Sequence, residues 1–231
     1  MRSSAPRRLS SIDVLRNTRS GLVYVLGNSW SLNQTPAQPL CSQFPTLGIN
    51  RVLRTHPQVE MLILSDSDVL REELPRILQG RPRLLLCDKL AGVWMARGGG
   101  KGIEAYTWHV NQPHVRKGMP SRRRPPQPCH FARTGNTGTY AMEAAALMGF
   151  KEIRLLGIDF SFNGPQTHSW GNQTKHKGGA TPRRRAKLIE RDVRGFREVY
   201  NSLTSRGVRI VNESPEAGPL DEFIPRRGHH G

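Results

Sequence analysis

Cysteine is scarce, acids are few, and no apolar run is long. Cys41, Cys87 and Cys129 are an odd number with no close pair, which argues against a disulfide framework and fits a reducing compartment. Cys129-His130, with His109 and His114 nearby, matches no zinc-ligand spacing, so no metal site is expected there. The basic start MRSSAPRRLSS is not followed by an apolar stretch, and no segment has the length that spans a bilayer. The sequence therefore predicts no secretory signal and no membrane insertion, and the expected location is the cytoplasm, a host cytoplasm if the source is viral. Acids number 18 against 35 lysines and arginines, for a net charge of +17. An excess of that size predicts a polyanionic partner: nucleic acid, an anionic surface or a phosphorylated substrate. Neither the dinucleotide glycine fingerprint nor a P-loop is present, and there is no internal repeat.

What remains is a set of short apolar runs spaced by polar and basic segments. The chain of 231 residues is 36% hydrophobic, and one domain of that length buries a core without staples. Residues 1–20 are polar and basic and are expected to be loose at the start. Leu22-Val23-Tyr24-Val25-Leu26 is uninterrupted, as a strand buried on both faces requires. Residues 46–50, 61–64, 84–87, 153–157 and 208–211 continue the series. Helices are predicted after Asp66, an N-cap, over 139–148, stopped by Gly149, and over 183–205, where Leu188, Val193, Phe196, Val199, Tyr200 and Leu203 recur near helical spacing. Residues 97–128 and 161–182 read as long basic or polar loops. Alternating strands and helices predict an α/β, Rossmann-like, mostly parallel sheet with helices on both faces, over 21–225, with a basic segment 1–20 and a tail 226–231.

In such sheets ligands bind beyond the carboxyl ends of the strands. Gly27-Asn28-Ser29-Trp30-Ser31 follows the first strand: Gly27 permits a sharp turn, and the polar groups after it suit a phosphate. Asn50, Asp66, Asp88 and Asp159 end later strands. Thr134-Gly135-Asn136-Thr137-Gly138-Thr139 opens a helix, a second place that attracts phosphate. Gly157-Ile158-Asp159-Phe160 is followed by His168 and His176, candidate general bases. Arg122, Arg123 and Arg124, with Arg183, Arg184, Arg185, Lys187, Arg191, Arg194 and Arg197, are candidates for a polyanion-tracking surface. Trp94, Trp108 and Trp170 are candidate base-stacking platforms.

The order of these motifs carries a resemblance. Gly27-Asn28-Ser29-Trp30-Ser31-Leu32, Gly48-Ile49-Asn50-Arg51, Asp66, Thr137-Gly138-Thr139-Tyr140-Ala141, Gly149-Phe150-Lys151-Glu152-Ile153, Gly157-Ile158-Asp159-Phe160 and Val211-Asn212-Glu213-Ser214-Pro215 with Leu220–Pro225 run over most of residues 20–225. Together they resemble the superfamily of bacterial CMP-sialic acid-dependent sialyltransferases, motility-associated flagellin glycosyltransferases and 6-hydroxymethylpterin diphosphokinase-like proteins. The resemblance implies a Rossmann-like transferase that needs no dinucleotide. By carry-over Asn28 and Ser29 touch the donor phosphate, Asn50 the nucleotide or transferred group, and Thr137 and Gly138 the nucleotide. His176 or His168 takes the acceptor proton beside Asp159, and no metal is required. Ser161 stands where the sialyltransferases have a tyrosine, and Trp30 where glycine-proline is usual. The Thr167-His168 pair is more like the other two branches.

The functional expectation is a glycosyltransferase that moves a sugar from a nucleotide-activated donor to a hydroxyl acceptor. The charge points to a polyanionic acceptor such as DNA carrying a modifiable base, as in a viral DNA-modification pathway. Two alternatives stand beside it. One is an ATP-dependent diphosphokinase acting on a small alcohol, with magnesium held by Asp66, Asp88 and Asp159. The other is a non-catalytic nucleic-acid-binding protein with this fold.

Overall fold

The computed structural model describes residues 9–100, 102–110, 130–131, 134–160, 168–169 and 182–227, with backbone alone at 110, 130 and 182–185. His176, Arg122, Arg123, Arg124, Cys129, Trp170 and most of the 161–182 segment lie outside them. So do the side chains of Arg183, Arg184 and Arg185.

The continuous apolar run after Gly21 is strand β2 (Leu22–Leu26), preceded by a two-residue piece, β1 (Ser10–Ser11). Val23, Val25 and Leu26 are wholly buried, as expected of a central parallel strand covered on both faces. It is followed by α1 (Ala37–Gln43), β3 (Thr46–Ile49), β4 (Met61–Leu64), α2 (Ser67–Gly80) and β5 (Arg83–Cys87). Then come α3 (Asp88–Ala96), β6 (Ala105–Val110), β7 (His130–Phe131), α4 (Thr137–Met148), β8 (Glu152–Leu156), α5 (Pro182–Thr204) and β9 (Arg209–Asn212). The strand order is β1-β6-β5-β4-β3-β2-β8-β9, and β7 pairs with the last residues of β6. Every pairing is parallel. The expected α/β fold with a parallel sheet is the one observed.

Chain direction explains the layers. From β2 to β6 the chain steps one way across the sheet, and from β8 to β9 it steps the other way. Right-handed crossovers then place α1, α2 and α3 on one face and α4 and α5 on the opposite one. The reversal falls between β2 and β8, so the topological switch point, where open α/β sheets bind ligands, lies at Gly27 and Gly157.

Residues 1–8, the start of the basic segment, lie outside the described residues, and from residue 9 on the segment joins the sheet: β1 pairs Ser10 with Tyr106, and Ile12 and Leu15 are buried in the core. Two expectations need correction. The loop expected over 97–128 contains β6, whose Leu84↔Ala105 to Cys87↔Trp108 register extends the sheet. At the other end, Arg226 is not tail, since it bonds the Asp221 carboxylate at 2.9 Å and bridges to Asn212. Among the described residues, no helix is long and apolar enough to cross a membrane.

Candidate functional site at the carboxyl edge

Two backbones meet at the switch point. The Gly27 N–H donates to the Leu156 carbonyl at 2.7 Å and the Ser29 N–H to the Gly157 carbonyl at 2.9 Å. A Cβ on Gly27 would overlap that same Gly157 carbonyl, so glycine is required here for close approach rather than for an unusual φ. Gly157 itself sits at φ 65°, in the left-handed region that glycine enters without strain. Ser31, in the turn Trp30–Gln34, donates its hydroxyl to the carboxylate of Asp159, and both residues are fully buried. Asp159 thereby ties the loop after β2 to the loop after β8.

Asn28 reaches the next strand. Its Nδ2 donates to the Ile49 carbonyl at 3.0 Å, which sets it beside Asn50. Asn50 adopts φ 52°, a conformation asparagine tolerates better than most side chains. Beyond it, Ser65 Oγ lies 2.7 Å from Thr137 Oγ1. The N-terminus of α4 is thus held at the end of β4. Asn136 caps that helix, accepting the Gly138 N–H at 2.7 Å, while its own amide donates to Asp192 of α5 at 3.0 Å. Gly138 packs under Phe196, and any Cβ there would lie 2.6 Å from the ring. Its role in the structure is close packing of α4 on α5, and its N–H is already engaged by the cap.

Residues 168 and 169 return to this place. The Ser169 N–H donates to the Asn28 carbonyl at 2.8 Å, and the Ser169 carbonyl accepts from Asn33 Nδ2 at 2.8 Å. His168 is therefore carried to the loop after β2, with its side chain half-buried. Ser169 is 5% exposed. Nothing in its residue type marked it beforehand, because its placement comes from backbone bonds between segments far apart in sequence.

The structure gathers Gly27, Asn28, Ser29, Asn50, Thr137, Gly157, Asp159 and His168 along adjacent strand ends. Asp66 lies on the rim, exposed, where its carboxylate caps α2 by accepting the Asp68 N–H at 2.8 Å. Asp88 contacts the His109 ring at the far end of the same edge. No group of three or more His, Cys, Asp or Glu side chains suited to a metal is found among the described residues. Asp66, Asp88 and Asp159 are accordingly not brought together as a magnesium site.

Two aromatic expectations fail. Trp94 is 2% exposed and Trp108 fully buried. Trp108 packs on Tyr140 with ring centroids 4.5 Å apart and on Phe131 at 5.2 Å. Both tryptophans belong to the core because their large apolar area gains most there, and neither offers a stacking platform. The exposed face of α5 does keep a basic stripe of Lys187, Arg191 and Arg194. Arg191 also pairs with Asp192, and Arg197 with Glu222 at 3.0 Å.

No protein-family model matches the chain, and no curated protein matches it in sequence. Solved structures do. One is a tyrosine-to-phenylalanine variant of the sialyltransferase Cst-II in complex with CMP, with a TM-score of 0.50 at 13% identity over 89% of this chain and 86% of that one. Another is the monofunctional α-2,3-sialyltransferase Cst-I from Campylobacter jejuni, with a TM-score of 0.52 at 12% identity over 89% of this chain and 79% of that one. At this identity the likeness is one of fold, and it agrees with the resemblance read from the ordered motifs.

Proposed function

We propose that the chain is a nucleotide-dependent glycosyltransferase, with its donor lying along the carboxyl edge from Asn28 to Thr137. The observation that carries the reading is the docking of residues 168–169 on Asn28, which brings a histidine to the switch point of the sheet. The shared fold with a sialyltransferase crystallised with CMP supports a nucleotide as the activated group.

In this reading the loop at Gly27, Asn28 and Ser29 receives the donor, with the Ser29 hydroxyl and the loop backbone toward the phosphate. Asn50 and Thr137 line the path taken by the nucleotide and the transferred sugar. Asp159, through Ser31, and Gly157 hold the loop in place. Asp66 and Gly138 shape the walls. His168, with His176 as the other candidate, accepts the proton of the acceptor hydroxyl as its oxygen bonds to the anomeric carbon. The bond from that carbon to the phosphate oxygen breaks, and the nucleotide leaves with the electron pair. The acceptor is a polyanion, for which DNA bearing hydroxymethylated bases is the test case. Lys187 and Arg194, with Arg122, Arg123, Arg124, Arg183, Arg184 and Arg185, are assigned to its backbone.

The test is incubation with a panel of nucleotide sugars and hydroxymethylated DNA, then digestion to nucleosides. Sugar on the modified base is the expected product. Absence of both transfer and donor hydrolysis with every donor would sink the reading. With an active donor in hand, His168→Gln is expected to lower kcat by roughly 10²–10⁴-fold while leaving KM for the donor near its original value. An unchanged kcat would pass the role to His176.

A further inference from the structure

Three side-chain atoms around the switch point are buried and have no hydrogen-bond partner among the described residues: Asn28 Oδ1, Asn50 Oδ1 and Ser169 Oγ. They lie on residues that hydrogen bonds hold side by side. Asn28 donates to the carbonyl of Ile49, which is bonded directly to Asn50, and Asn28 accepts from the backbone of Ser169. Buried polar groups are nearly always satisfied, and three exceptions on neighbouring residues mark a place where a ligand supplies the partners.

The chemistry of these atoms narrows the ligand. Asn28 cannot turn its amide over, because Nδ2 faces a carbonyl oxygen that only accepts. The atom left over is therefore an acceptor. A phosphate oxygen is also an acceptor, so it cannot satisfy Asn28 Oδ1. Asn50, as placed, also turns its amide oxygen inward, with no partner on it. Both need an O–H or N–H. Ser169 adds a hydroxyl that donates or accepts, and its backbone is fixed on both sides, by Asn28 and by Asn33. Two acceptors and a hydroxyl on neighbouring residues match a pair of adjacent hydroxyl groups.

We propose that Asn28 Oδ1, Asn50 Oδ1 and Ser169 Oγ form a subsite that reads a vicinal diol of the ligand and not its phosphate. The inference rests on the transferase reading for the identity of the ligand as a nucleotide donor, and it adds a specificity-determining role for Ser169. Two parts of such a donor carry the chemistry: the ribose, through its 2′ and 3′ hydroxyls, and the transferred sugar.

Calorimetry on the full chain separates these sources. CMP, UMP, GMP and AMP are compared with their 2′-deoxy and 3′-deoxy counterparts, and nucleotide sugars with their deoxysugar analogues. Free ribose and free hexoses are included. If the ribose is read, each deoxyribonucleotide binds at least roughly tenfold more weakly than its parent, because it leaves a buried polar atom unpaired. If the transferred sugar is read, the ribose deletions are neutral and the deoxysugars bear the loss. Ser169→Ala and Asn50→Gly are expected to bring the affected ratio toward one. Asn50→Gly suits this purpose because glycine accepts the left-handed backbone at that position. A melting temperature within a few degrees of the parent's shows that each variant is folded.

Equal binding of every deoxy compound and its parent overturns the proposal, and so does a ratio unchanged in both variants. If no nucleotide binds but a free sugar does, and Ser169→Ala removes that binding, the diol subsite stands and the transferase reading falls. If neither nucleotides nor sugars bind, both fall.

Discussion

A few buried polar side chains set the stakes at the residue scale. Ser31 donates to a carboxylate with no solvent exposure, that of Asp159. Ser31→Ala removes that donor and is expected to cost about 1–3 kcal/mol, readable as a lower urea midpoint at unchanged m-value. His56 gives the chain a pH response. The residue is 2% exposed. Burial pushes its pKa below the ordinary value of 6.5, an effect only partly offset by a hydrogen bond to the Thr35 backbone. The unfolded chain therefore binds this proton more readily than the folded one. The contribution of His56 to stability is complete above pH 6.5 and is lost as the pH falls below that value toward the lower folded pKa. The difference between the stability–pH curves of wild type and His56→Gln should slope across that window. Parallel curves would show that His56 has no such role.

Helix packing is decided by individual glycines at the scale of elements. Gly138 lies under the fully buried Phe196 ring, and a methyl group there would sit 2.6 Å from it. Gly138→Ala is expected to destabilise by about 1–3 kcal/mol through overpacking. Gly92 of α3 meets nothing within 4 Å of an added Cβ. There the same substitution should stabilise by roughly 0.4–1 kcal/mol, because it removes unfolded-chain freedom and favours the helix. Thermal melts of the pair check both signs. Legibility also varied by element. β2, β4 and β5 were plain from the sequence, because strands covered on both faces must be apolar throughout. α1 was not, since none of its residues is buried and so no apolar stripe marks it. β6 was hidden because Ala105-Tyr106-Thr107-Trp108-His109-Val110 alternates polar and apolar residues. That pattern suits a strand near the sheet edge, but it stands between glycine- and proline-rich segments.

Charge dominates the whole molecule. A net charge of +17 predicts affinity for any extended polyanion, falling steeply with salt at a slope of about −0.9 per phosphate neutralised. Fluorescence anisotropy with a DNA duplex between 50 and 200 mM salt, a window in which several phosphate contacts produce a drop of roughly 10³-fold or more, measures it. Lys187→Glu with Arg194→Glu, both on the exposed side of α5, should weaken binding to all sequences alike and reduce the slope by roughly one for each phosphate no longer neutralised. A slope near zero would leave the charge without a role in polyanion binding.

By itself the sequence determined the class of fold, the order of most strands and the polar character of their carboxyl ends. These follow from burial and backbone geometry, which act locally and leave periodic marks. It placed Gly27, Asn28 and Asn50 at strand ends and Thr137 at a helix start for the same reason. Only the tertiary structure decided which of these ends meet. The reversal between β2 and β8 makes Gly27 and Gly157 neighbours, a hydrogen bond from Ser169 brings His168 to Asn28, and the core takes Trp94 and Trp108 away from any ligand. The pairs Gly27–Gly157 and Asn28–Ser169 lie far apart along the chain, and no local pattern records them. Their partners are fixed by how the layers pack.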